Sequence, residues 1–115
     1  MWGAKKLDYE AYSKFLKALA DPKRLAIVDL LSNGTMYACE ILDHFDFTQP
    51  TLSHHMKVLQ SAGVVLAEKR GRWQHYSLAG DFTVNFPEFT RQLLQKTQSN
   101  QAGAQKSAFL KMTVV

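Results

Sequence analysis

The chain has 115 residues, enough for one domain, and its 46% hydrophobic and 21% charged content excludes a disordered class. Its apolar runs are short and broken by charge, so none can span a bilayer. The opening MWGAKKLDYEAY has no apolar stretch to make a secretory signal, and a cytoplasmic protein is the expectation. Net charge is +4, which favours an anionic partner, and the single cysteine, Cys39, excludes an internal disulfide and a cysteine-rich zinc site.

A first helix is predicted over about residues 8–19, where Tyr9, Tyr12, Leu16 and Leu19 recur at helical spacing beside Phe15. Asp21-Pro22 opens a second helix with a capping carboxylate and a first-turn proline. Leu25, Val28 and Leu31 form its apolar stripe, and Asn33-Gly34 ends it. A short third helix is expected near 38–45, with Ile41, Leu42 and Phe45 facing inward. Thr48-Gln49-Pro50 starts a fourth, which runs to Gly63. Two β-prone runs around Arg70-Gly71 read as a hairpin, and Asn85-Phe86-Pro87-Glu88 reads as the start of a last helix with Phe89, Leu93 and Leu94 along one side. The domain is expected to occupy residues 1–98, with 99–115 as a flexible tail.

Charge is distributed unevenly. Residues 36–47 carry Glu40, Asp43 and Asp46 and no Lys or Arg, whereas residues 48–77 carry Lys57, Lys69, Arg70 and Arg72 against Glu68 alone. An acidic helix is thus followed by a basic helix and hairpin. The fourth helix has two faces: Leu52, Met56 and Leu59 at spacings of four and three form a buried side, and Pro50, Ser53, His54 and Lys57 lie opposite. Gln49 and Thr51 sit in the first turn, where recognition helices touch bases. Short polar donors and acceptors such as Gln49, Ser53 and His54 suit base edges in the major groove. Lys57 and the hairpin tip, Lys69, Arg70 and Arg72, suit phosphates or the minor groove. Either element alone is equally well read as a solvated face; their succession is what points to duplex DNA.

The segments KALADPKRLAIVDLL, FTQPTLSHHMKVLQSAGVV and KRGRWQHYSL resemble the ArsR/SmtB family of bacterial winged-helix repressors over about residues 14–78. The resemblance implies a mainly α winged helix-turn-helix fold of about five helices and a two-stranded wing. It also implies a homodimer built on the first and last helices, a role that suits Tyr9, Tyr12, Leu16, Phe89 and Leu93. Such a dimer would place two recognition helices about 34–36 Å apart, one DNA turn, on an inverted-repeat operator. The resemblance puts Gln49, Thr51, Ser53 and His54 on the recognition helix and Arg70 and Arg72 on the wing. It implies release from the operator by an inducer, often a metal ion.

The family's metal sites are incomplete here. Where the arsenic and cadmium sensors resemble Cys-Val-Cys-Asp-Leu, this chain has Tyr37-Ala38-Cys39-Glu40-Ile41, and no histidine follows His75 to supply the zinc and nickel site. No cofactor is predicted, and the inducer is not named by the sequence. Two alternatives stay open: a degenerate shared site using Cys39, Asp43 and His44, set against zinc's need for about four ligands, and thiol-based sensing by Cys39, set against its reading as a small apolar filler. Arg24 reads either as a phosphate contact or as the partner of a neighbouring acid, His55 as a structural histidine, and His75 as cross-strand packing beside Trp73. Asp21, His44 and Ser53 form no hydrolase motif, so an enzyme is not expected. The other reading is a protein-interaction module on a winged-helix scaffold.

Overall fold

A computed structural model of the chain describes residues 7–100, with side chains to Gln95. The elements are α1 (Tyr9–Leu19), α2 (Pro22–Leu31), β1 (Met36–Tyr37), α3 (Ala38–Leu42), α4 (Gln49–Ser61), β2 (Val65–Arg70), β3 (Trp73–Leu78) and α5 (Gly80–Asn100). The helix starts follow capping chemistry. Asp8 accepts from the Ala11 amide at 3.1 Å, Asp21 from Lys23 and Arg24 at 2.8 and 3.1 Å, and Thr48 from Thr51 at 3.3 Å. In α3 the Glu40 carboxylate instead reaches back to accept from the Tyr37 amide at 2.8 Å. Gly63 and Gly71 turn the chain into and within the hairpin at φ +81° and +64°, values that side chains with a Cβ rarely adopt.

The core is one cluster. Ile27 of α2, Ile41 of α3, Leu59 of α4 and Val64 are fully buried, and Met56 and Val65 nearly so. At about 25 cal/mol per Å² of apolar area, each such side chain contributes roughly 1.5–3 kcal/mol. Ile27, not Leu25, carries the inward stripe of α2 beside Leu31; Leu25 is half exposed. The helix-turn-helix is therefore held from beneath, and α4 packs on β2, so reading helix and wing share one support.

Three expected boundaries change. The third helix stops at Leu42, and residues 43–46 continue as turns, although Phe45 still packs against the core and stacks on Phe47 at 4.6 Å. The wing sheet has three strands rather than two, in the order β1-β3-β2. β1 adds two antiparallel rungs, Met36↔Tyr76 and Tyr37↔His75, while the hairpin runs from Val65↔Leu78 to Arg70↔Trp73. The last helix starts at Gly80, not Asn85, and passes through Pro87. An interior proline costs about 3 kcal/mol. The extra turn places Phe82 in the core at 6% exposure, with its ring 5.2 Å from both Phe15 and Phe86, and burial of that ring offsets the cost. α5 reaches Asn100; the tail expected beyond it lies outside the described residues.

α1 and α5 pack through aromatic rings, Tyr12 against Phe86 and Phe89 at 5.4 and 5.8 Å and Phe15 against Phe82. The Tyr12 hydroxyl lies 2.8 Å from Thr90 Oγ1. Tyr12 is thus used inside the protomer, as is half-buried Phe89, and the exposed members of the expected dimer face are Tyr9, Leu16 and Leu93, joined by Leu94.

Candidate nucleic-acid interface

α4 divides along its length as its spacing requires. Leu52, Met56 and Leu59 are at most 2% exposed, whereas Gln49, Pro50, Ser53, His54 and Lys57 are all exposed. Thr51 is half-buried and hydrogen-bonded to Thr48 Oγ1 at 3.0 Å, so it belongs to the cap as much as to the outer face. A rod about 10–12 Å across, buried on one side and polar on the other, matches the width of the major groove.

His55 is buried between these faces. The Arg24 guanidinium lies 3.3 Å from its Nδ1 and donates from Nε to the Ala18 carbonyl at 2.6 Å. A guanidinium has no acceptor, so His55 Nδ1 accepts and its proton sits on Nε2. Burial pushes the His55 pKa below the ordinary histidine value, opposed by the Asp21 carboxylate and reinforced by Arg24. Asp21, 3.9 Å from Arg24, has its own pKa lowered, first by accepting from the Arg24 amide. Arg24 therefore ties the end of α1 and the start of α2 to the middle of α4. The neighbouring acid expected from sequence is only one of its partners; nothing in the sequence joins residues 18, 24 and 55.

On the wing, Lys69, Arg70 and Arg72 are exposed. Arg70 is engaged within the sheet: it donates to Glu68 Oε1 from Nε at 3.1 Å and lies 3.0 Å from it through Nη2. Glu68, Arg70, Trp73, His75 and Tyr37 share the sheet's outer face by register, and the Tyr37 and His75 rings meet edge to face at 4.7 Å. Trp73 and His75 therefore pair on one face as alternation predicts. Lys69 and Arg72 carry no such internal tie among the described residues. Glu68 was legible as the lone acid of the segment, but its hold on Arg70 needed the strand register.

Cys39 is exposed in the first turn of α3. Tyr37, which stands where the resemblance places a first thiolate, packs its ring edge to face on His75. Among the described residues, no group of three or more His, Cys, Asp and Glu side chains gathers at metal-binding distances. No described helix is long and apolar enough to cross a membrane.

Comparison with known proteins places this geometry. The profile described as bacterial regulatory protein, arsR family, matches residues 21–66, the stretch from the α2 cap to the start of the wing. An arsenical resistance operon repressor of Staphylococcus xylosus is 49% identical over 76 residues, covering 66% of this chain and 73% of that protein. The transcriptional repressor SdpR of Bacillus subtilis is 42% identical over 62 residues, covering 54% and 69%. Among solved structures, a homodimeric winged helix-turn-helix DNA-binding domain from Mycobacterium bovis, described as a possible ArsR-family transcriptional regulator, superposes with a TM-score of 0.62 at 26% identity, covering 82% of this chain and 85% of that one. This chain belongs to the ArsR family of bacterial regulatory proteins and has the family's winged helix-turn-helix fold.

Proposed function

We propose that this ArsR-family repressor acts as a homodimer on an inverted-repeat operator, reading bases with α4 and gripping phosphates with the wing. The observation that carries the reading is the division of α4, with Leu52, Met56 and Leu59 buried and Gln49, Ser53, His54 and Lys57 presented on a helix packed against β2. Gln49, Ser53 and His54 offer the hydrogen-bonding groups that discriminate base edges. Lys57, Lys69 and Arg72 supply sequence-independent attraction, and Arg70 joins them only as far as its tie to Glu68 allows. Tyr9, Leu16, Leu93 and Leu94 would leave apolar surface in water in a lone protomer, and a partner copy would cover it, as the homodimeric M. bovis relative suggests. The protein works in the cytoplasm, without catalysis and without a resident cofactor. Its release signal is not read through a two-thiolate site, because Tyr37 replaces one thiol.

The test is a mobility shift with the chain's own promoter DNA against a random duplex of equal length. Ser53→Ala and His54→Ala are expected to narrow the gap between the two duplexes, by roughly 1–3 kcal/mol for each base edge no longer read. Arg72→Ala is expected to weaken both duplexes alike and flatten the salt dependence. Unchanged sequence preference in both α4 variants would remove the assignment of the reading face.

A further inference from the structure

We infer that the groove between α1 and α4 is a second phosphate-binding row, through which Lys14 and Lys17 extend the DNA contact beyond the recognition helix and wing. The inference rests on the DNA-binding reading above. The groove is walled by Lys14 and Lys17 from α1 and by His54 and Lys57 from α4, over a floor that includes Ala18 and Val58. Among the described residues no carboxylate lines it, so none of them neutralises the three ammonium groups there. An apolar floor of this kind can cover lysine stems while their charged heads stay in water.

Two geometric facts choose the occupant. His54 and Lys57 belong both to the groove and to the exposed face of α4, so a duplex seated on that face passes beside Lys14 and Lys17. The cleft, about 450 Å³, is open to solvent and does not enclose its contents. Small-molecule sites bury most of their ligand, whereas a phosphate backbone needs only a charged track. The apolar face proposed for dimerisation leaves Lys14 clear: at 100° per residue it lies about 160° around α1 from Leu16 and about 140° from Tyr9, on the other flank of the core-facing stripe, with Lys17 between, about 100° from Leu16 and about 80° from Tyr9.

The experiment compares wild type with the double variants Lys14→Ala/Lys17→Ala and Lys14→Arg/Lys17→Arg, all checked by circular dichroism for retained helix. Dissociation constants are measured for the promoter and random duplexes across a salt series. A dimer would give up as many as four phosphate partners, so the alanine variant is expected to weaken both duplexes, roughly tenfold or more, and to show a log K against log salt slope shallower by about 2–4. The arginine variant is expected to restore both, and the ratio between duplexes to stay near the wild-type value. An alanine variant matching wild type in affinity and slope would overturn the inference alone; that is also the result expected if the groove held a small organic anion instead. A wild type that bound neither duplex would overturn the DNA-binding reading itself.

Discussion

Replacing Arg24 by methionine would test whether the recognition helix is held in place by a single guanidinium. Methionine keeps most of the stem's packing and removes every donor. Two acceptors lose their partner: the Ala18 carbonyl, on a residue 3% exposed and among the last carbonyls of α1, and Nδ1 of buried His55. An abandoned buried acceptor costs about 1–3 kcal/mol, so the pair sums to roughly 2–6 kcal/mol. The lower half of that range applies, because the Arg24 side chain is 14% exposed and water can reach part of the site. The Asp21 pair at 3.9 Å adds little, since such partly exposed pairs contribute about 0–1 kcal/mol. For a domain of about this size, each kcal/mol lowers the melting temperature by roughly 4 °C or more, so Arg24→Met should melt about 8–16 °C below wild type. The assay is thermal unfolding followed by circular dichroism at one fixed protein concentration, because dimerisation would couple stability to concentration. Arg24→Lys should lie between, since one ammonium cannot serve both acceptors with a fork's geometry. A fall below about 3 °C, or a large loss of DNA affinity with unchanged melting, would dismiss the clamp and return Arg24 to the role of a phosphate contact.

Two further outcomes follow from the same supports. Thr48→Ala removes the cap of α4 and should cost about 1 kcal/mol of stability, with weakened operator binding because the frayed turn carries Gln49; urea unfolding and mobility shift on one preparation check it. Burial lowers the His55 pKa, so the unfolded chain takes up the proton more readily than the folded one. His55 then contributes its full stability above the ordinary value of 6.5 and progressively less as pH falls below it. Urea midpoints at about pH 7.5 and 5.5 should drop more for wild type than for His55→Gln, and parallel drops would exclude His55 as the source.

The two-faced character of α4 was legible because burial there depends only on spacing: Leu52, Met56 and Leu59 repeat at four and three, and tertiary packing agrees with that period. The caps at Asp21 and Thr48 and the turn at Gly71 were legible for the same local reason. The start of α5 was not. Asn85-Phe86-Pro87 carries the local chemistry of a helix start, and it is overridden by a distant ring, Phe15, that draws Phe82 into helical geometry. β1 is two residues long, too short for any periodicity, and exists only because β3 offers an edge. The Arg24 clamp joins positions up to 31 apart, and the α1–α4 groove joins residues 14 and 57; neither leaves a trace in local pattern.

The two rungs between β1 and β3 leave almost no slack in this architecture. Tyr37 closes one rung, starts α3 by donating its backbone N–H to the Glu40 carboxylate, and meets His75 of β3 edge to face, all within one residue. Any event that levered α3 out of position would therefore pull on the sheet edge directly, with no linker to absorb the movement. The hairpin would swing with it, much as a hinge pin carries both leaves of a door.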